Sequence, residues 1–316
     1  MRAIVIDEFG GIEQLKEREL PTPVPTDEEV LIKIAYAAVN PVDWRIRQGQ
    51  YKERFSYGFP VILGWDAAGT IVKCGRNVQR WKKGDEVYAY CRKPQVQWGT
   101  YAEYVSIPQE FVATKPKKAS FAEAAAIPLA GLTAWQSLFD SAHLKRGEGV
   151  LIHAGAGGVG GYAVQFAKWA GATVITTANR KNHGYVKELG TDHAIDYSKE
   201  DFVPAVLKVF PDGVDVVYDC VGGDVYAKSF PCLKTGGRIV SIRHPSDPEL
   251  DKKYGVTSSY VFVHPDGTQL KEIAGLFDSG KIKAPALTEF SLSEVRKAHE
   301  ASETRHIRGK IVLKVE

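Results

Sequence analysis

Cysteine is scarce in this chain of 316 residues and is scattered along it. The four cysteines are Cys74, Cys91, Cys220 and Cys232. None belongs to a C-x-x-C pair or lies near a histidine at the spacing of a metal site. Disulfides need an oxidising compartment, and the chain reaches Asp7 and Glu8 too early for a signal peptide. We therefore expect four reduced cysteines in a cytoplasmic protein.

Long apolar runs and a strong net charge are missing as well. No stretch approaches the roughly 20 apolar residues that cross a bilayer, and the formal net charge is only +3. We therefore expect neither a membrane span nor a nucleic-acid partner. The composition, with 44% hydrophobic and 25% charged residues, is typical of a globular protein, and the length favours about two domains.

The first 120 residues have the pattern of a β-rich domain. Short runs rich in β-branched and aromatic residues occur at 30–35, 69–72 and 85–90, and proline or glycine clusters separate them at 21–25 and 83–85. Short strands with frequent turns predict a barrel-like β domain.

A different rhythm begins at Ser120. Ser120 and Glu123 form the pattern of a capping box, which predicts a helix that continues over 124–138. Beyond it the predicted strands are 150–154, 173–177, 193–196, 214–219 and 237–242, and the predicted helices are 162–170, 181–189, 201–210 and 225–233. Apolar strands that alternate with helices indicate a parallel sheet covered on both faces, which is the doubly wound Rossmann arrangement.

The alternation fades after residue 263. Helices are predicted at 270–278 and 293–302, and a strand at 310–315 ends the sequence. The simplest architecture returns this tail to the first domain. We thus predict an α/β protein in which residues 1–120 and 264–316 form one domain and residues 121–263 form a Rossmann domain.

A glycine-rich loop follows the predicted strand 150–154. Its residues are Gly155, Ala156, Gly157, Gly158, Val159 and Gly160, which fit G-x-G-x-x-G before a helix that we expect to begin near Gly161. In this motif Gly155 permits the tight turn, Gly157 lets the backbone approach a pyrophosphate, and Gly160 allows close helix packing. The loop therefore predicts a dinucleotide site at a helix N-terminus; the alternative is a glycine-rich turn without a ligand.

The second strand of the predicted sheet is followed by basic residues. An NAD site usually has an acid near this point to hold the ribose, whereas this chain has Asn179, Arg180 and Lys181. An acid would repel a 2′-phosphate, and a guanidinium can bind one with two hydrogen bonds. The basic pair therefore favours NADPH over NADH. The alternative is solvated charge, although a helix start normally prefers acids.

Two more loops leave the carboxyl ends of predicted strands, where open α/β sheets bind ligands. The first, 219–223, contains Val221 and Gly222, which we expect to line the ribose or nicotinamide channel. The second, 241–244, contains Ile242, which we assign to the same site. The alternative is that Val221 and Gly222 are ordinary loop residues.

These features resemble the medium-chain dehydrogenase/reductase superfamily over essentially the whole chain, in particular its zinc-independent quinone oxidoreductase branch, which includes zeta-crystallin. The segments that carry the resemblance are 38–43, 64–69, 99–104, 129–135, the glycine loop and 306–313. The resemblance implies a GroES-like catalytic domain built from both ends of the chain, with the Rossmann domain between them. It also implies dimerisation through the Rossmann sheets.

The resemblance argues against a catalytic zinc. Zinc members have a cysteine where this chain has Asn40, a histidine where it has Trp65, and a third ligand near Leu129. These side chains cannot form a tetrahedral site of nitrogen and sulfur ligands. Without a Lewis acid, hydride transfer to an electron-poor quinone or α,β-unsaturated carbonyl is easier than alcohol oxidation, because hydrogen bonds suffice to stabilise the oxygen.

The resemblance also assigns the site residues. It places Asn40 and Tyr51 in the substrate cleft, where the amide and the phenol could donate to the substrate oxygen; the alternatives are a turn residue before Pro41 and a rim aromatic. For the cofactor it implies Thr133 near the nicotinamide, Tyr197 near the adenine, Phe262 and Val263 in the loop that joins the domains, and Arg308 on the phosphates or ribose.

The sequence thus predicts an NADPH-dependent reductase of a quinone or enone, a small molecule. Two alternatives stay open, because a fold does not decide a function. One is a reductase of a specific alkenal or haloacrylate-type metabolite. The other is a non-catalytic NADPH-binding protein of the crystallin kind.

Metal analysis checks the absence of zinc. Because Asn40, Trp65 and Leu129 replace the ligands of zinc members, we expect the purified protein to contain no stoichiometric zinc by plasma mass spectrometry. One tightly held zinc ion per chain would overturn the proposed chemistry.

Overall fold

The computed structural model describes residues 1–315 and divides them into two compact units. The first unit consists of residues 1–129, 264–280 and the part of the chain from 284 onward, and the second consists of residues 130–263 and 281–283. Residues 121–129 were expected in the Rossmann domain, but they belong to the first unit because their helix packs on strands of that unit.

The elements before residue 128 belong to the first unit. In chain order they are β1 (Arg2–Ile6), β2 (Lys16–Glu19), β3 (Glu29–Val39), α1 (Pro41–Arg47), β4 (Ser56–Ile62), β5 (Asp66–Cys74), β6 (Glu86–Tyr90), β7 (Gln95–Trp98), β8 (Tyr104–Pro108), β9 (Val112–Thr114) and α2 (Phe121–Ala125).

The elements that follow lie in the second unit as far as residue 263, and those after it lie in the first unit. They are α3 (Pro128–Trp135), β10 (Gly149–Ile152), α4 (Gly158–Trp169), β11 (Thr173–Thr177), α5 (His183–Glu188), β12 (His193–Ile195), α6 (Phe202–Val209), β13 (Val214–Asp219), α7 (Asp224–Ser229), β14 (Leu233–Ser241), α8 (Pro248–Tyr254), β15 (Thr257–Tyr260), α9 (Gly267–Asp278), β16 (Leu287–Ser291), α10 (Val295–Glu303) and β17 (Lys310–Lys314).

The first unit is β-rich, as the short strand patterns predicted. Its larger sheet has the order β16-β17-β3-β5-β6-β9, with β8 also paired to β3, and a smaller sheet has the order β2-β1-β4-β7. The last strand, β17, runs antiparallel to β3 and places Ile311 opposite Val39. The tail therefore returns to the first unit and puts Lys310 at the level of the turn between β3 and α1.

The second unit contains the predicted doubly wound sheet. Its strands, in residues 149–260, are all parallel and have the order β12-β11-β10-β13-β14-β15. The connections reverse direction between β10 and β13, and this crevice is where such sheets bind ligands. The central strands β10 and β13 are buried on both faces, which explains their continuous apolar runs.

The helix predicted over 124–138 is broken in the structure. The capping box at Ser120 is present, but α2 ends at Ala125 and α3 begins at Pro128. Proline lacks an amide hydrogen and disfavours helical backbone before it, so the apolar run cannot continue as one helix. No helix within residues 1–315 is both long and apolar enough for a membrane span.

Each unit buries a neutral histidine. His153 of the second unit lies between Thr177 Oγ1 (3.1 Å) and Ser229 Oγ (2.9 Å), and burial lowers its pKa to about 4 although Asp219 opposes the shift. His299 of the first unit contacts Tyr101 Oη at 3.2 Å, and burial lowers its pKa to about 3. Protonation of either ring in the folded state is therefore unfavourable.

We expect the second unit to lose stability in acid through His153. The pKa in the folded state, about 4, lies below the value of 6.5 expected when unfolded, so this contribution is present above pH 6.5 and is lost as the pH falls towards 4. Between pH 7 and pH 5 it amounts to about 2 kcal/mol. Denaturant titrations at both pH values should show this loss for the parent and a smaller one for His153→Asn. Equal losses would contradict the assignment.

Candidate active site and cofactor loop

The glycine loop joins β10 to α4 at the switch point of the parallel sheet. Gly157 is the N-cap of α4 in extended backbone, and no side chain of residues 1–315 caps this helix. The helix therefore begins at Gly158 rather than near Gly161, and the amides of its first turn face the ligand crevice. This is the usual arrangement of a helix that binds phosphate.

Glycine stands at positions 155, 157 and 160 of this loop for different structural reasons. A Cβ on Gly155 would collide with Thr176 Oγ1, and a Cβ on Gly160 would collide with the carbonyl oxygen of Ala154. A Cβ on Gly157 would meet only that carbonyl oxygen, at an ordinary 3.4 Å. The protein itself does not need glycine at 157, so the open space above it fits the close approach of a pyrophosphate.

The structure shows why Gly155 permits the tight turn. The left-handed residue of the turn is Ala154, with φ of 56°. Gly155 is needed because β11 passes too close for a side chain. Ala156, Gly158 and Val159 lie between them on the path from strand to helix, as predicted.

The basic residues after β11 lie at the same edge of the sheet. Asn179 Oδ1 accepts a hydrogen bond from the Lys181 amide at 3.2 Å and so starts a 3-10 turn over Arg180–Asn182, where an α-helix was predicted. Arg180 and Lys181 are exposed, and the Arg180 guanidinium contacts His183 Nδ1 at 3.4 Å. Two exposed cations next to the phosphate loop suit a 2′-phosphate.

A buried carboxylate, Asp219, holds the other two loops together. Its Oδ1 accepts hydrogen bonds from the amides of Val221 and Gly222, both at 2.9 Å, and its Oδ2 accepts one from Ser241 Oγ at 2.7 Å. The amide of Ile242 donates to the Asp219 carbonyl at 3.2 Å. The structure therefore brings these predicted cofactor residues together beside the glycine loop.

Sequence reasoning missed the part that Asp219 plays. An aspartate at a strand end followed by Val-Gly-Gly is the signal of a turn in which the side chain binds backbone amides. Val221 remains 45% exposed at the tip of this turn, and Gly222 has a φ of 80° that favours glycine. The side chain of Val221 is thus presented to the crevice rather than packed into the core.

The remaining predicted residues of the second unit are more dispersed. Tyr197 follows β12 and is 52% exposed, and Phe262 and Val263 follow β15 at the other end of the sheet. Thr133 is buried in α3, and its carbonyl oxygen accepts from Tyr218 Oη at 3.4 Å. Arg308 lies in the first unit, exposed before β17, and its assignment to the cofactor stays a prediction.

In the first unit, Asn40 is held in one orientation. It is the buried N-cap of α1, where its backbone amide donates to Asp43 Oδ2 at 2.8 Å. Its side-chain Nδ2 donates to Asp66 Oδ2 at 2.8 Å, and its Oδ1 accepts from Lys310 Nζ. Because an amide nitrogen has two hydrogens, one N–H of Asn40 remains for another acceptor.

Lys310 and Asp66 form a buried ion pair behind Asn40. Their Nζ and Oδ2 atoms are 3.4 Å apart, and Asp66 Oδ1 accepts from the Leu129 amide at 2.7 Å. Burial raises the pKa of Asp66, and the Lys310 charge opposes that shift. A fixed ammonium at this point disfavours a second cation. Within residues 1–315 no cluster of three or more histidine, cysteine or acidic side chains could bind a metal.

A second buried network lies under the start of α1. Asp43 Oδ2 accepts a hydrogen bond from Tyr101 Oη at 2.8 Å, and the same hydroxyl contacts His299 Nε2 at 3.2 Å. Burial raises the pKa of Asp43 to about 7, although the bonds from Asn40 and Tyr101 oppose the shift. This network fixes the N-cap and hence the position of Asn40.

The Tyr51 phenol lies beside the Arg45 guanidinium and interacts with its charge. A guanidinium has only donors, so it can meet the phenol oxygen only as an acceptor, and a phenol can donate its own O–H to another group. The structure gives no direct contact between Tyr51 and Asn40.

Instead, Tyr51 begins a series of aromatic contacts that approaches Asn40. The Tyr51 and Phe55 rings are 6.0 Å apart, Phe55 and Trp65 are 5.9 Å apart, and Trp65 precedes the Asp66 that binds Asn40. We name the whole cluster the aromatic wall, and it consists of Phe9, Tyr51, Phe55, Tyr57, Phe59, Trp65 and Tyr90.

Comparisons with known proteins agree with this architecture. The family described as "Alcohol dehydrogenase GroES-like domain" matches residues 26–117, and the one described as "Zinc-binding dehydrogenase" matches residues 189–313. The chain is 36% identical to the chloroplastic NADPH-dependent alkenal/one oxidoreductase of Arabidopsis thaliana, with 99% of this chain and 79% of the relative covered.

Solved structures are similar over the whole chain. The quinone oxidoreductase from Coxiella burnetii has a TM-score of 0.89 at 38% identity, with 100% of this chain and 99% of the other covered. The Escherichia coli quinone oxidoreductase complexed with NADPH has a TM-score of 0.88 at 28% identity, and both chains are fully covered (100%).

The class of protein is defined by a parallel sheet of the dinucleotide-binding type together with a GroES-like unit. The chain belongs to the medium-chain dehydrogenase/reductase superfamily. Within that superfamily it belongs to the quinone oxidoreductase branch, and it is an enzyme of the oxidoreductase type. The predicted fold class and family are therefore confirmed.

The double variant Arg180→Ala with Lys181→Ala tests the phosphate assignment. We expect NADPH binding to weaken by roughly 10- to 100-fold, because two charge-assisted contacts to the 2′-phosphate are lost, and NADH binding to change less than about twofold. Fluorescence titration gives both dissociation constants. Lys187→Ala is the control, because it removes an exposed lysine of α5 that is not part of the basic pair. Equal weakening for both nucleotides would refute the assignment.

Proposed function

We propose that this enzyme uses NADPH to reduce the conjugated system of α,β-unsaturated aldehydes and ketones, without zinc. The observation that carries the proposal is the position of Asn40. Its amide is bound on one side by the Lys310 ammonium and on the other by Asp66, at the position where zinc members have a metal-ligating cysteine. A hydrogen-bond donor thus takes the place of the Lewis acid.

The cofactor loop supports NADPH. The open space at Gly157, the uncapped first turn of α4 and the exposed Arg180 and Lys181 fit a phosphorylated dinucleotide. The bound cofactor supplies a hydride. Asp219 orders the loops of Val221 and Ile242 that complete this side of the site.

The residues of the first unit stabilise the negative charge that grows on the substrate carbonyl oxygen. Asn40 has one free N–H, and the Lys310 ammonium on its carbonyl oxygen polarises the amide and strengthens that donor. The Tyr51 phenol lies beside the Arg45 guanidinium, which can only donate to it, so the phenol O–H is available for the substrate oxygen. Donors that are already positioned in a dry site act as an oxyanion hole.

The same arrangement is poor for alcohol oxidation. That reaction needs an alkoxide, which a metal ion stabilises, whereas an enone already carries an electron-poor carbon for the hydride. The alkenal/one oxidoreductase of A. thaliana and the 2-methylene-furan-3-one reductase of Solanum lycopersicum, which is 37% identical, support enones as the substrate class.

A quinone is the second candidate. The aromatic wall provides edge and face contacts for a planar ring, and the C. burnetii quinone oxidoreductase is 38% identical. A dimer through the Rossmann sheets and a cytoplasmic location remain predictions. The A. thaliana alkenal/one oxidoreductase is chloroplastic.

NADPH oxidation with 3-penten-2-one and with 1,4-benzoquinone tests the function. We expect turnover of the enone, and in Tyr51→Phe a kcat lower by about 10- to 100-fold with unchanged NADPH binding, because only a transition-state donor is removed. Tyr104→Phe, a phenol on β8 outside the site, is the matched control.

The outcomes separate the candidates. Turnover of benzoquinone alone would favour the quinone assignment. No turnover of either compound by protein that binds NADPH would support the non-catalytic alternative. A kcat in Tyr51→Phe equal to that of Tyr104→Phe would remove Tyr51 as a donor.

A further inference from the structure

Arg45 carries a buried charge with an unusual set of neighbours. Its side chain belongs to α1, and the residue is only 8% exposed. The groups that act on its charge are the Tyr51 phenol and a second cation, Arg305, and no carboxylate of residues 1–315 is among them. Burial lowers the pKa of Arg45, Tyr51 opposes the shift, and Arg305 adds to it.

The other buried cations of the first unit are paired. Arg47, two residues further along α1, forms an ion pair with Glu303, and Lys310 pairs with Asp66. A buried charge without a counter-ion is costly, so proteins normally pair it. The lack of an acid at Arg45 therefore suggests that its counter-ion is not part of the protein.

Arg305 also lies close to the ring of Trp44, and its backbone has an unfavourable conformation. Its guanidinium carbon is 5.8 Å from the centre of the Trp44 ring, and that of Arg45 is 4.9 Å from it. Arg305 has a φ of 58°, a left-handed conformation that non-glycine residues rarely adopt. The nearest acid in sequence, Glu303, is bound to Arg47 and Gln48 instead, and no ion pair to Arg305 occurs within residues 1–315.

We propose that Arg45 and Arg305, here called the arginine pair, bind a carboxylate on the substrate. This inference rests on the proposed function and narrows its substrate class to carboxylated enones. A carboxylate between the two guanidiniums would neutralise the repulsion between them and give Arg45 its missing counter-ion. Guanidinium and carboxylate groups match in geometry and can form two parallel hydrogen bonds.

The link from Arg45 to Tyr51 connects the arginine pair with the reacting end of the substrate. Tyr51 donates to the carbonyl oxygen in the proposed mechanism and lies beside Arg45. From Tyr51 the aromatic wall continues through Phe55 to Trp65. A planar conjugated ketone that lies on this wall would present a carboxylate at one end to the arginine pair.

The phosphates of the cofactor are a less fitting counter-ion. The glycine loop, Arg180 and Lys181 of the second unit already provide for both the pyrophosphate and the 2′-phosphate. In contrast, Arg45 of the arginine pair lies beside Tyr51, a residue of the proposed substrate site. Nucleotide binding nevertheless has to be measured, because phosphate and carboxylate share the same recognition chemistry.

Two matched pairs of acceptors test the proposal. The first pair is (E)-4-oxopent-2-enoate and its methyl ester, and the second is 4-carboxybenzylideneacetone and its methyl ester. Each pair exchanges a carboxylate for a neutral methyl ester at the end of an enone, and in the second pair a benzene ring separates that group from the reacting double bond. We expect kcat/KM for at least one acid to exceed that of its ester by about tenfold at low ionic strength, and we expect salt to reduce this preference.

Arg305→Gln is the informative variant because Arg305 does not contact Tyr51. We expect KM for the preferred acid to rise about five- to tenfold, with kcat and the kinetics of the ester unchanged within twofold. Arg76→Gln, an exposed arginine on the same unit, is the control. Arg45→Gln should raise KM for the acid and also lower kcat for both compounds, since Tyr51 loses its partner.

The results distinguish this inference from the proposed function. No turnover of any acid or ester would contradict the proposed function. Calorimetry with 4-carboxybenzylideneacetone and its ester then tests, independently of turnover, whether the arginine pair binds the carboxylate. Tighter binding of the acid, lost in Arg305→Gln, supports the pair. Equal binding or equal kcat/KM for acid and ester would overturn it, as would an Arg305→Gln variant that weakens NADPH alone.

Discussion

The buried ammonium of Lys310 is the interaction on which the catalytic unit depends. It joins β17 to Asn40 and Asp66, and so connects the strand that returns from the Rossmann unit with the start of α1 and fixes the Asn40 amide. A buried positive charge is unfavourable unless it is paired and hydrogen-bonded, and here both conditions are met. In the proposed mechanism this ammonium polarises the Asn40 amide and does not itself bind the substrate.

A single carboxylate organises the other unit in a comparable way. Asp219 accepts hydrogen bonds from the backbone of its own loop and from the hydroxyl of Ser241 on the neighbouring strand. These bonds hold the two loops after β13 and β14 together. The glycine loop needs no such device, because Gly155 and Gly160 allow its backbone to pack directly on Thr176 and on the preceding turn. In both units, buried polar atoms therefore hold the residues that we propose to bind ligands.

The strands of the Rossmann unit were the most predictable part. The bounds predicted for 173–177 and 214–219 agree with β11 and β13, because a strand buried on both faces is a short apolar run with clear ends. Helix starts were less predictable. Pro128 divides the apolar run before the first Rossmann strand, and α4 begins three residues before the expected Gly161, since extended glycine backbone can cap a helix without a side chain.

The sequence by itself determined the doubly wound sheet, the phosphate loop and the basic pair that follows the second strand. Each of these features is written in residues that are neighbours along the chain, where period, glycine spacing and charge can be read directly. The tertiary structure alone decided that Lys310 binds Asn40, 270 positions away, and that Arg45 meets Arg305 rather than an acid. The partner of a buried charge lies on a strand or turn that is distant in sequence and is brought close only by folding. Local sequence patterns therefore do not predict it.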